Sequence, residues 1–480
     1  VNANSRSEKW ETVVGLEVHA ELLTKTKLFC SSPNAFGSEP NTNVCPVCLG
    51  LPGSLPVLNE HAVELAIRIG TALGSTIAPS VFHRKNYFYP DMPKDYQISQ
   101  YDEPINVGGR VELPDGSVVG IVRAHIEEDT GKTSHVGGSG RIHTADYALV
   151  DYNRAGVPLV EIVSEPDIRS AEQARSYVNE LRAILVATGA SDGRLEEGSI
   201  RIDANVSVRE RGATSFGTRC EVKNLNSLRS LGRAIEYETR RQVAILESGG
   251  SVTQETRHWD EDAGETSTLR SKEEAFDYRY FAEPDLVPLA PSSESVEAIR
   301  SDLPLLPSAR RERLKVLLAT EEPVPTEQLT TVVTLGLDDL VAASIALGAD
   351  SRLALARAAN EAATQPELAR MLAPAHFTEL VRLEASGELS ATQAKSVLAE
   401  MLETRRSPDE IARRLGFEAL APKELDAAID SVIAAHPDEW RRFNEGDDKV
   451  SQFLLGQVMR ETKGRANGKA VAASLAGRRG

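Results

Sequence analysis

A run of nine residues that alternates side to side between apolar and non-apolar restricts a chain more tightly than composition can. Residues 13–22, VVGLEVHAEL, put Val14, Leu16, Val18, Ala20 and Leu22 on one side of an extended strand and Gly15, Glu17, His19 and Glu21 on the other, because successive side chains of a strand point to opposite faces. One face joins a core. The other sets two carboxylates around an imidazole, a combination that can be merely wet or can hold something.

The arrangement recurs along the first 300 residues. In SIRIDANVSVR, Ile200, Ile202, Ala204, Val206 and Val208 make the apolar face and leave Arg201, Asp203, Asn205 and Arg209 opposite; TRCEVKNL sets Cys220 and Val222 against Arg219, Glu221 and Lys223. PLVEIVSEPD carries Glu161 inside an otherwise apolar strand, and RAHIEEDTGK gathers Glu127, Glu128 and Asp129 at a strand end beside Lys132. For any one stretch, a solvated outer face is the plain reading. Over several, Asp, Glu, His, Asn and Arg displace the loose Lys, Thr and Ser mixture of a solvent surface. Crowded carboxylates repel one another unless cations sit among them. Oxygen ligands with one imidazole suit Mg²⁺ or Mn²⁺, and interleaved Arg and Lys suit the phosphates that accompany such ions. The expectation is a sheet face that holds metal-bound phosphate.

Other features exclude function classes. No apolar run approaches the ~18 residues of a membrane span, and VNANSRSEKWETVV has neither the charged start nor the apolar stretch of a signal peptide, so a cytoplasmic protein with no membrane contact is expected. Acids number 71 against 54 Lys and Arg, for a net charge of −17, which argues against a nonspecific nucleic-acid coat but leaves room for a local basic patch. Gly131, Lys132 and Thr133 end like a phosphate-binding loop, yet Ile126 occupies the place of its first glycine. HVGGSGRIH reads as a hairpin turn. Four cysteines do not make a disulfide framework. Cys30, Cys45 and Cys48 offer three thiolates where structural zinc wants four ligands, so zinc and unliganded thiols both stay open, while Cys220 reads as a strand's apolar residue.

Domain organisation shows in a change of character. Alternation, turns and aromatics dominate up to about residue 295, and Ala- and Leu-rich helical periodicity follows, with Phe377, Phe417, Trp440, Phe443 and Phe453 as its only aromatics. PDLVPLAPSSES (residues 284–295) is the expected seam. Ser390 with Gln393, and Ser407 with Pro408 and Glu410, read as helix starts. The expected fold class is α+β, with domains at 1–295, 296–405 and 406–480.

VGLEVHAEL, EPNTNVCPVCLGLPGSLPVLN, RKNYFYPDMPKDYQISQYD, HIEEDTGK, DYNRAGVPLVEIVSEPDI, EVKNLNSL and QETRHWDEDAGETSTLRSKEEAFDYRYFAEPDL together resemble the B subunits of the bacterial glutamyl/aspartyl-tRNA amidotransferases, and GELSATQAKSVLAEMLETRRSPDEIARRLG resembles their tail. The resemblance runs from about Trp10 to the C-terminus. It implies a cradle around a mainly antiparallel sheet, then an all-α domain and a small all-α, YqeY-like tail that contacts tRNA. It also implies a reaction. ATP and Mg²⁺ serve to phosphorylate the side-chain carboxylate of mischarged Glu-tRNA(Gln), in many members Asp-tRNA(Asn) too, and ammonia displaces the phosphate. Carried over by motif position, His19, Glu128 and Glu161 are implied metal ligands, with Glu17, Glu127, Asp203 and Glu221 around a second metal or the ammonia route. Lys85, Asn86, Arg201 and Lys223 are implied contacts for phosphate or the aminoacyl end, and Glu127, Glu128, His19 and Lys223 the catalytic set. Many relatives carry a further cysteine near Cys30, where this chain has Ser31 and Ser32.

Ammonia needs a source. The chain has neither a Cys/His glutaminase pair nor a Ser-Ser-Lys amidase pattern, and the resemblance supplies an amidase A subunit and a small C subunit that complete a heterotrimer. Two rivals remain in view. A small-molecule ATP-dependent carboxylate–amine ligase would use the same face but has no use for the basic end from Gly456, where Arg460, Lys463, Arg465, Lys469, Arg478 and Arg479 face only Glu461. A noncatalytic RNA scaffold would need the basic residues but not the row of carboxylates.

Overall fold

The computed structural model describes residues 9–137, 145–271, 278–318, 323–417, 422–462, 466 and 468–479. It divides into two compact units, residues 1–308 and 309–480.

The first unit is built on one long sheet. Its strands are β1 (Trp10–Glu21), β2 (Thr76–Ile77), β3 (Val81–Asn86), β4 (Tyr96–Glu103), β5 (Asn106–Val107), β6 (Arg110–Glu112), β7 (Val118–Glu128), β10 (Pro158–Ser164), β11 (Ile200–Glu210), β12 (Cys220–Lys223), β13 (Glu255–Asp260), β14 (Glu265–Ser271) and β15 (Phe281–Ala282). The main order is β14, β13, β12, β11, β1, β10, β7, β4, β3, β15. Every pairing is antiparallel except β12 with β13. The hairpin partners β8 (Lys132–Val136) and β9 (Tyr147–Asp151) pair separately, and residues 138–144, which hold most of the expected turn, lie outside the described residues.

Alternation decides which face is covered. Val14, Leu16, Val18 and Ala20 of β1 are buried with Ile200, Ile202, Ala204 and Val206 of β11 and Val160 and Ile162 of β10. Helices α1 (Glu60–Ala72), α2 (Ala171–Ala187) and α3 (Leu228–Glu247) bring Leu65, Ile69, Tyr177, Leu181, Leu231 and Ile235 to the same core. Each starts where an Asn or Ser side chain takes up free backbone N–H groups: Asn59, Ser170 and Ser227. Helix α4 (Ser293–Ser301) adds Val296 and Ile299 to this core.

The second unit is helical throughout its described residues. One apolar cluster runs from Leu314 to Ala412 and a separate one from Ile429 to Leu475. Ser390 and Gln393 form a reciprocal capping box, and Ser407 caps the next helix with Pro408 in its first turn. That helix, Pro408–Arg414, packs Ile411 and Ala412 into the first of the two clusters. Among the described residues no single helix is long and apolar enough to cross a membrane.

Far from the open face, α3 is tied to β13 and β14 through a fully buried carboxylate. Glu238 accepts hydrogen bonds from Arg241 (2.6 and 2.9 Å), Gln242 (2.8 Å) and Thr266 (3.1 Å), with Arg257 at 3.4 Å. Burial alone would raise its pKa, but the Arg241 and Gln242 hydrogen bonds outweigh burial and hold it below its ordinary 4.5. A depressed acid contributes stability above its unfolded pKa and loses it as pH falls through the folded one. Glu238→Gln should therefore lower unfolding free energy by about 2 kcal/mol at neutral pH, measured by urea denaturation, and the gap from wild type should narrow as pH falls below 4.5.

Candidate functional site

The uncovered face of the sheet lines a cleft of 820 Å³. Strand register builds it in rows. Across β11, β1, β10 and β7, Arg201 stands beside His19, His19 beside Glu161, and Glu161 beside His125. Two residues along, the row reads Asp203, Glu17, Val163, Arg123. Because β1 is flanked on both sides, its polar face is the floor of the cleft.

Three groups stand out. His19 Nε2 lies 3.6 Å from Glu127 Oε1 and 3.7 Å from Glu161 Oε2, and the three ligand atoms fall within 4.8 Å of one another. Burial pushes Glu127 up to about 8, with Glu161 adding to the rise and Lys85 opposing it. Burial also lowers His19 to about 4 against the pull of Glu161, so the imidazole is neutral and free to act as a ligand. Buried carboxylates forced together beside a neutral imidazole are the donor set that a hard divalent cation relieves. The site fits the ion that the sequence implies.

Glu17, Asp203 and Glu221 make the second group. It already contains a cation: Lys223 Nζ is 2.6 Å from Asp203 and 2.9 Å from Glu221. Although burial opposes it, Asp203 and Glu221 hold this ammonium well above its ordinary pKa. Glu17 accepts 2.9 Å from Asn205 Nδ2 and is raised by burial and then by Glu161. Lys223 thus neutralises part of the charge these carboxylates bring together.

Cys30, Cys45 and Cys48 are the third group, again within 4.8 Å. Cys45 and Cys48 sulfurs are 3.8 Å apart, and Ser32 Oγ is 3.9 Å from Cys48 Sγ. The hydrogen bond from Cys30 lowers the Cys48 thiol to about 4 against its burial and raises Cys30. Three sulfurs and a hydroxyl fall short of the four ligands of structural zinc.

Glu128 goes elsewhere. It follows Glu127 on β7, so its side chain leaves by the opposite face, where it is buried, pairs with Lys94 and accepts 2.9 Å from the Ile98 N–H. The cluster that could hold a metal ion has Glu127 in its place. Asn86 also lies apart from the cleft: its Nδ2 donates to the carbonyls of Tyr278 (3.2 Å) and Arg279 (2.9 Å). Arg201 stands beside His19 but is bound to Asp129 at 2.7 Å. Lys85 lines the cleft.

Sequence reasoning missed His125 and Arg123. His125 is fully buried, 3.4 Å from Glu161 Oε2, and neither ring nitrogen has a hydrogen-bond partner. The signal was present, since counting by two from Glu127 reaches His125 and then Arg123.

The basic end is partly accounted for within the second unit. Arg478 pairs with Asp426 and Asp430, and Arg479 lies over Phe443 at 5.0 Å. Lys463, Arg465 and the side chain of Lys469 lie outside the described residues.

Comparison with known proteins identifies the family. Residues 12–297 match the GatB/GatE catalytic domain and residues 353–478 match the GatB domain. The B subunit of an aspartyl/glutamyl-tRNA(Asn/Gln) amidotransferase from Frankia casuarinae is 50% identical over 96% of this chain and 94% of its own length. The proteins of the same name from Anaeromyxobacter sp. (48%, over 97% of this chain and 98% of the relative) and Thermobifida fusca (49%, over 95% and 92%) are as similar. With a catalytic-domain match over more than half its length and relatives aligned nearly end to end, the chain belongs to the GatB family.

Proposed function

We propose that this chain is the transamidase subunit of a tRNA-dependent amidotransferase, an ATP-dependent carbon–nitrogen ligase that works with an amidase A subunit and a small C subunit. Its substrates are Glu-tRNA(Gln) and Asp-tRNA(Asn), the specificities that its relatives' names carry. A side-chain carboxylate oxygen attacks the γ-phosphorus of ATP and ADP leaves. Ammonia released from glutamine by the partner then attacks the acyl carbon, and inorganic phosphate leaves with the activated oxygen. Activation is needed because a carboxylate has no leaving group until one oxygen is phosphorylated.

The observation that carries this reading is the convergence of Glu127 and Glu161 on a neutral His19 in the cleft of a GatB-family chain. A divalent cation held by these three would neutralise phosphoryl oxygens during transfer. The chain's own groups do the rest. Lys223, fixed by Asp203 and Glu221, sets a positive charge two residues along the floor from His19's row. Glu128 and Lys94 keep each other buried on the reverse of β7. A small-molecule ligase would use the same cleft, but relatives matched from end to end do not favour it.

The first test separates ligands from structural groups. His19→Ala and Glu127→Gln should abolish amidation of charged tRNA by the complex supplied with ammonium and ATP, with glutamine hydrolysis retained and the unfolding midpoint within about 2 °C of wild type. Glu128→Leu strands a buried lysine and should cost about 3 kcal/mol of stability. Normal amidation by either of the first two variants would remove them from the site.

We take Cys30, Cys45 and Cys48 as reduced and without metal. Metal analysis of purified protein should give well under one zinc per chain, and chelation should leave thermal stability unchanged. Stoichiometric zinc would reverse this.

The domain from about residue 418 onward is proposed as the tRNA handle, and the cut is set there because Ile411 and Ala412 belong to the preceding core. Deleting residues 418–480 should raise KM for charged tRNA about tenfold and flatten its salt dependence, with a smaller effect on kcat. An unchanged KM and salt slope would assign all tRNA binding to the rest of the chain.

A further inference from the structure

The cations around the cleft fall into two classes. Lys223, which lines it, is tied to Asp203 and Glu221, as Arg201 beside His19 is tied to Asp129. Lys85, Arg123 and Arg219, which also line it, are not. Among the described residues none of the three makes a hydrogen bond or an ion pair, and Arg123 Nε is buried without a partner. In a chain with 17 more acids than bases, leaving three cleft cations without a carboxylate partner is a specific arrangement.

Aromatic rings hold two of them, Lys85 and Arg123, side by side on one wall. Arg123 Cζ lies 4.4 Å from the centre of the Tyr101 ring, and Lys85 Nζ lies 4.9 Å from that of Tyr278. Tyr280 braces both rings, stacked on Tyr101 at 5.6 Å and 18° and edge-on to Tyr278 at 6.0 Å. A π face attracts a cation through its quadrupole but carries no net charge. It fixes where the cation sits and leaves its charge whole, whereas a carboxylate would fix it and cancel it. All five residues line the cleft with Glu127 and Glu161.

We propose that Lys85 and Arg123, set on this tyrosine wall, clamp the polyphosphate of the nucleotide, with Arg123 a substrate-binding residue and Tyr101 and Tyr278 positioning residues. The proposal rests on the function proposed above and says which arm of the cleft takes which substrate. A metal-bound triphosphate keeps more than one negative charge after the metal is counted, and the carboxylate that accepts the phosphoryl group carries one. Two uncancelled cations match the former. In-line transfer brings the acceptor in opposite the leaving ADP, which gives the acyl group the arm beyond Glu17, on the far side of the His19 trio.

Equilibrium titration of the assembled complex with ATP and Mg²⁺, without tRNA, tests this apart from turnover. Arg123→Gln should bind ATP about 10- to 100-fold more weakly than wild type, and Tyr101→Leu about fivefold more weakly. Tyr101→Phe, which keeps the ring, should stay within about twofold. Steady-state KM for charged tRNA should change less than about threefold in Arg123→Gln. Should that variant fail to fold, Lys85→Gln asks the same question from the other half of the clamp. Wild-type ATP affinity in the folded variants overturns the proposal. So does a rise confined to the tRNA KM, which would turn these cations toward the aminoacyl end. Wild-type complex that binds no ATP would overturn the functional reading itself, and the clamp with it.

Discussion

The pairing of β1 with β10 on one side and β11 on the other is the constraint on which the first unit depends. Strand side chains repeat every two residues, so a slip of one position on either side would carry Val14, Leu16 and Val18 into the cleft and Glu17 and His19 into the core. Burying an unpaired carboxylate costs far more than exposing a valine. The apolar face thereby locks the register, and the register brings His19, Glu161 and Glu127 from three strands to one point. The site is a by-product of how the core is kept dry.

Much of this was legible in residue order. Which residues face the cleft on β1, β11 and β12 followed from alternation alone, and burial agrees at Ile202, Ala204 and Val222 on one face and Asp203 and Glu221 on the other. The choice between Glu127 and Glu128 was legible too. Ile126 must be buried, so Glu127 faces the cleft and Glu128 turns inward, a step of counting that motif matching passes over.

Other features could not be read along the chain. Lys94 comes from the segment before β4 to meet Glu128, and Tyr101 and Tyr278 come from sequence positions far apart to hold Arg123 and Lys85. Such partnerships are set by strand order, and strand order is fixed by the connections and the helices packed behind the sheet. Helical periodicity from residue 296 gave the class of the second unit. It did not reveal that the helix Pro408–Arg414 packs backward into the cluster before it. That depends on where Ile411 and Ala412 find a complementary surface.

The central place of β1 also bears on how the chain comes to be folded. Trp10 pairs with Glu210 and Glu21 with Leu159, so the strand, made before both its neighbours, waits for them. At roughly 5–20 residues per second on a ribosome, the intervening ~200 residues keep its apolar edge unpaired for about 10–40 s. Contacts this far apart in sequence also slow collapse once all the parts exist. The nascent chain thus presents Val14, Leu16 and Val18 as an adhesive strand for many seconds before its partners emerge.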